Sequence, residues 1–191
     1  MNYSECIENA RTRIGNYCKA CPECNGRACK NQMPGPGAKG IGDTAIRNYD
    51  KWKEIRVQMD TIAENKPVDT SLELFGKKFL YPFFAGPVGA VGLHYGDCLD
   101  DVRYNDILVS ACAKYGIAAF TGDGLDSNVM VAATKAIGKT DGIGIPTVKP
   151  WNIDTVAEKM KMVQESKAFA VAMDVDAAGL PFLKNMEPPA G

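Results

Sequence analysis

The sequence predicts an α/β protein: the first half of an eight-stranded β/α barrel, about four βα units, preceded by an N-terminal helical, cysteine-rich segment and a small β-hairpin. Two observations carry the α/β class. Short continuous apolar runs (Phe83–Gly86, Ile117–Thr121, Ile143–Pro146 and Ala168–Asp174) alternate with amphipathic stretches of helical period, the pattern of a parallel sheet covered by helices. Polar or glycine-rich residues follow each run, at Gly86-Pro-Val-Gly, Thr121-Gly-Asp-Gly, Pro146-Thr-Val-Lys and Asp174-Val-Asp. In parallel α/β folds ligands gather at that edge. A third observation suggests the half-barrel: an intact barrel typically takes about 250 residues, whereas this chain has 191 and ends in the loop-like Glu187-Pro-Pro-Ala-Gly. The expectation is the front portion of a larger protein.

The elements follow in order. Ile7, Ala10 and Ile14 recur at helical spacing, with Ser4 placed to cap the start and Gly15 to end the helix. A cysteine loop comes next. Met33 to Gly42, Met-Pro-Gly-Pro-Gly-Ala-Lys-Gly-Ile-Gly, cannot hold a helix and reads either as a connector or as backbone that approaches a ligand. Asp43 opens a helix that sets Ile46, Tyr49 and Lys53 along one side, and Thr70–Tyr81 reads as a hairpin turning at Gly76. Within the regular part, helices are expected from Asp101 to Tyr115, closed by Gly116, around Ser127 to Ile137, and from the Asn152 cap to about Ser166. The expected segments are 1–42 (helix, cysteine loop, Gly/Pro loop), 43–82 (helix and hairpin) and 83–191 (the half-barrel).

Composition narrows the function. A formal net charge of -1 offers no global basic field for nucleic acid or an anionic membrane. No apolar run approaches the roughly 20 residues of a membrane span, and the first residues lack the hydrophobic core of a secretion signal. A cytoplasmic, reducing location is expected.

Cys18, Cys21, Cys24 and Cys29 are spaced C-x2-C-x2-C-x4-C. Two-residue gaps let thiolates converge on one metal or cluster, so the candidates are an iron–sulfur cluster or zinc. Paired disulfides, or reduced thiols in a loop, are the other readings, and disulfides are disfavoured in a reducing compartment.

The run Arg47-Asn-Tyr-Asp, then Asp69-Thr-Ser-Leu-Glu-Leu-Phe-Gly-Lys-Lys-Phe, then Tyr81-Pro-Phe-Phe-Ala-Gly-Pro-Val-Gly resembles the entry to the FMN-dependent α-hydroxy-acid oxidase/dehydrogenase family. Glycolate and lactate oxidases belong to that family, and the chain resembles a cysteine-containing bacterial branch of it. The resemblance covers about residues 40–180. It implies a TIM barrel, FMN as cofactor, and oxidation of a small 2-hydroxy acid by hydride transfer to flavin. It also implies that Pro87, Val88 and Gly89 lie against the flavin ring, with Thr121 and Gly122 near its pyrimidine edge. Asp174 matches the aspartate that pairs with a histidine base, and Asp176 competes for that match, two residues on along the same face.

The sequence departs from the family elsewhere. Gly144-Ile-Pro146 stands where the family has Gln-x-Tyr, with Thr147 and Lys149 beyond. Lys149 would bring positive charge to a flavin or a carboxylate. The Met33–Gly42 loop replaces an active-site tyrosine, and Ala177-Ala-Gly-Leu stands where an arginine is expected. The family's histidine base and phosphate-binding loops lie further along than this chain reaches, so the chain alone is expected to bind FMN weakly or not at all and to be inactive. The sole histidine, His94, reads as a loop residue. A redox partner and homo-oligomerisation are expected of the full-length enzyme. The alternatives are a non-redox FMN barrel isomerase and a non-catalytic half-barrel that binds metal and docks a partner.

Overall fold

The structure, a computed structural model, describes residues 2–14, 18–29, 43–60, 62–124 and 126–175. Gly15, the Met33–Gly42 loop, Asp176 and the Ala177-Ala-Gly-Leu run lie outside the described residues. The chain divides into two compact units, Met1–Val68 with Gly92–Cys98, and Asp69–Val91 with Leu99–Gly191. Among the described residues no helix is long and apolar enough to cross a membrane.

The first unit holds α1 (Tyr3–Arg11) and α2 (Thr44–Trp52). The cap of α1 is Asn2, not Ser4. Its side chain accepts from the Glu5 amide at 2.9 Å while the Glu5 carboxylate accepts from the Asn2 amide at 3.0 Å. That reciprocal capping box satisfies two N-terminal donors at once, which a lone serine one turn inside cannot do. Helix α2 starts at Asp43 without a side-chain cap bond and buries Ile46. The cysteine loop is tied to both helices. The Tyr3 hydroxyl donates to the Pro22 carbonyl at 2.7 Å, the Tyr49 hydroxyl donates to the Glu23 carboxylate, and Arg27 approaches Asp50 at 3.5 Å. Gly26, at φ 73°, passes so close to α2 that a Cβ there would stand 2.7 Å from the Ala45 Cβ.

The second unit begins with the hairpin β1 (Leu72–Leu74) and β2 (Lys77–Phe79), paired antiparallel with Leu72 opposite Phe79. Phe75 and Gly76 both take positive φ, 47° and 76°, the conformation that matches a two-residue turn to the strand twist. Beyond the hairpin in the chain, α3 (Val91–Tyr95), all but its first residue in the first unit, carries His94 on a short helix where a loop is expected. The regular part then runs α4 (Asp101–Lys114), β3 (Phe120–Thr121), α5 (Ser127–Lys139), β4 (Ile145–Val148), α6 (Ile153–Glu165) and β5 (Ala172–Met173).

β3, β4 and β5 form a parallel sheet in that order, with Phe120 beside Ile145 and Thr147 beside Ala172. Ala85 joins the β3 side by a parallel bridge to Ala119. Four apolar runs therefore lie side by side in chain order, but with less regular strand than expected: the first run contributes one bridge, and the last two residues of strand. The third strand begins at Ile145 rather than Ile143, because Gly142 and Gly144 are occupied in packing; a Cβ on them would stand 2.1 Å from the Lys167 carbonyl and 2.5 Å from Ile137.

The core lies between sheet and helices. Val109, Cys112, Ala119, Ala136 and Ile137 pack together, and Met130, Val148 and Val163 form a second cluster beside them. Phe79 is 2 % exposed and meets Phe84 and Phe169 at ring distances of 4.8 and 5.4 Å. The fold shown is α/β with small sheets; it does not itself show a barrel.

Candidate active site

The polar groups of this unit collect where β3, β4 and β5 end. Thr121 closes β3 wholly buried, and its hydroxyl has no hydrogen-bond partner among the described residues. Thr147, on the neighbouring strand and 4 % exposed, likewise has an unpartnered hydroxyl. Thr121 pairs with Pro146, so Thr147, one residue on, lies on the other face of the sheet, the face it shares with Lys149. Buried polar atoms are rarely left unsatisfied, and the Thr147 hydroxyl on that face is a place where a polar ligand would be bound.

The loop after Ala85 packs onto the end of β3. A Cβ on Gly122 would lie 2.2 Å from the Val88 carbonyl oxygen, and one on Gly89 would lie 3.1 Å from the Asp123 carbonyl oxygen. Only residues without side chains allow that approach. Pro87 is exposed, Val88 and Gly89 are half-buried, and Gly122 is buried. The open side of Gly122 is thus covered by Val88, so a ligand reaching this place meets the 87–89 backbone. Ala90 follows at φ 52°, and the Asp101 carboxylate accepts from the Val91 amide at 3.2 Å. Burial raises the Asp101 carboxyl above its usual value, while bonds from Val91 and Ala90 pull it back down.

Asp123 joins these loops. Its Oδ2 accepts from the Lys149 amide at 2.9 Å and from Trp151 Nε1 at 2.7 Å. Its Oδ1 accepts from the Gly124 amide at 2.9 Å and from Lys159 Nζ. The Asp123 side chain is 0 % exposed and that of Lys159 7 %, with the ammonium 5.0 Å from the centre of the Trp151 ring. One strand over, Lys149 Nζ donates to Asp174 Oδ2 at 2.9 Å, with side chains 18 % and 31 % exposed.

The structure therefore brings together Pro87–Gly89, Thr121, Gly122, Lys149 and Asp174 at one sheet edge. The Asp174 carboxylate meets a lysine there, whereas a histidine is its expected partner. Asp123, Trp151 and Lys159 are not among the expected site residues, yet the sequence carries a signal for each. Asp123 lies in the strand-end run Thr121–Gly124, and Lys159 falls between Val156 and Val163 on the inward stripe of its helix, where a lysine needs a partner.

The cysteine segment differs from expectation. Cys18, Cys21, Cys24 and Cys29 are free thiols, Cys24 exposed and the other three half-buried. Among the described residues no group of three or more His, Cys, Asp or Glu side chains could hold a metal ion, so the expected iron–sulfur or zinc centre is not supported. Burial and then the neighbouring Cys29, Cys18 and Cys21 push the Cys24 thiol up, and Cys29 Sγ lies 3.9 Å from the Gly26 carbonyl as a weak donor.

The flavin expected here fits the residues present in three respects: the close backbone approach at Gly89 and Gly122, the unpartnered Thr147 hydroxyl, and a lysine at the strand end. A comparison with protein-family models matches residues 35–185 to FMN-dependent dehydrogenase. No curated protein matches the chain.

Proposed function

The chain belongs to the FMN-dependent dehydrogenase family, and we propose that it serves an oxidoreductase acting on a small 2-hydroxy acid of the lactate or glycolate kind, with its strand–helix units forming part of a β/α barrel. The family supports FMN-dependent oxidoreductase chemistry. The observation that carries the substrate class is the Lys149–Asp174 pair at the ends of adjacent strands, 2.9 Å apart and partly buried. Oxidising a 2-hydroxy acid needs a cation for the carboxylate and an acid–base system for the hydroxyl, and the two charges stand side by side here.

When bound, FMN supplies the acceptor for the hydride equivalent leaving the substrate carbon. The chain's own residues do the rest. The 87–89 segment, where Gly89 carries no side chain, would lie against the flavin ring. The Thr147 hydroxyl, on the same face as Lys149 and Asp174, would provide a donor for its polar edge. Lys149 holds negative charge, either on a substrate carboxylate or on the reduced ring. Asp174 would orient the histidine base that the family resemblance implies and stabilise that base when it becomes charged.

FMN titration into the full-length protein tests the reading. Stoichiometric binding that weakens at least tenfold in Lys149→Met supports it. Binding unchanged by Lys149→Met and by Thr147→Val would remove these residues from the cofactor site.

A further inference from the structure

We propose that Asp123 is a positioning residue, one that holds the loops following Ala85, β3 and β4 in a single register. The argument starts from acceptor capacity. An ionised carboxylate offers about four lone-pair sites, and Asp123 fills them with Gly124 N, Lys149 N, Trp151 Nε1 and Lys159 Nζ. One oxygen is shared between Lys159 and the amide of Gly124. The other is given entirely to the loop after β4.

The main chain of the same residue does the remaining joining. Its carbonyl abuts Gly89, and Gly122 beside it abuts the Val88 carbonyl. Three segments, 87–89, 121–124 and 149–151, therefore touch at Asp123. The register passes one strand further, because the Lys149 amide held by Asp123 sets the side chain that reaches Asp174, while the Asp174 amide donates to the Val148 carbonyl at 2.9 Å.

A purely stabilising role explains less. Buried ion pairs are often no better than apolar residues of the same volume, and fixing one geometry is the better-attested reason to keep one. Here the geometry fixed is that of every loop the proposed site uses. The consequence for cofactor binding rests on the function proposed above; the loop register does not.

The test uses the full-length protein and the double variant Asp123→Ala/Lys159→Met, which leaves no lone buried charge. Amide hydrogen exchange is read at residues 88–91, whose amides make no bond to the Asp123 side chain. The expected result is at least tenfold faster exchange there, with α5 and β4 protected as in the parent. Exchange at 88–91 matching the parent would overturn the proposal and leave Asp123 as a counter-ion. Should the double variant not fold, Asp123→Asn/Lys159→Met, which keeps one acceptor oxygen and no lone buried charge, is read in the same way, with an intermediate acceleration expected. FMN titration of the same proteins separates the two claims. A parent that binds no FMN counts against the function proposed above, and the exchange result still decides Asp123.

Discussion

Gly122 and Gly138 show how differently two glycines in one unit constrain the chain. A methyl on Gly122 meets the Val88 carbonyl at 2.2 Å, backbone that cannot swing aside, whereas on Gly138 it meets Ser166 at an ordinary 3.9 Å. Gly122→Ala should therefore lose about 1–3 kcal/mol, as overpacked sites do. Gly138→Ala, inside α5, should gain about 0.5–1 kcal/mol; urea denaturation of both variants measures the contrast. Lys159→Met alone strands the Asp123 carboxylate in the interior, and breaking a buried pair from one side costs about 3–5 kcal/mol. Asp101 adds a pH signature. Burial raises its carboxyl above 3.8 in the fold, so the folded chain binds that proton more tightly than the unfolded chain does. Its contribution is fully present below the unfolded value and is lost as pH rises through the folded one. Asp101→Asn should flatten the melting temperature against pH in the window just above 3.8, and equal slopes in parent and variant would contradict the assignment.

At the scale of the element, caps set where the helices begin. The side chain of Asn152 accepts from the Thr155 amide at 2.9 Å at the start of α6, and Asp100 does the same for α4 through Arg103. Asn152→Ala should cost about 1 kcal/mol by chemical denaturation, and because α6 carries Lys159, it should also loosen the Asp123 cluster. These helices were legible in the sequence because period, cap residue and closing glycine agree: Gly116, at φ 74°, stops α4 where expected. The strands were legible as apolar runs but not in extent. Ala118 and Ala119 are wholly buried yet contribute one bridge and no ladder, since side-chain pattern reports burial and says little about how many backbone bonds form. The Lys149–Asp174 pair was half legible: both residues stand out at strand ends, but pairing across β4 and β5 depends on register, which a single sequence leaves open. Asp123 was harder still. Its distant partners lie 26 to 36 residues away, and only the assembled sheet edge makes their convergence visible.

At the scale of the molecule, the parallel order Ala85, β3, β4, β5 places every candidate site residue of the second unit at one edge, where α/β folds bind ligands. The cysteine segment belongs to the first unit, and the proposed chemistry runs without it. The account's central claim is that this edge serves flavin-dependent oxidation of a 2-hydroxy acid. The most direct test is anaerobic mixing of the FMN-loaded full-length protein with lactate or glycolate, following the visible absorbance of oxidised flavin. The account predicts bleaching with formation of the matching 2-keto acid in equal amount, slowed at least tenfold in Asp174→Asn. Bound FMN that stays oxidised in the presence of both acids would contradict it.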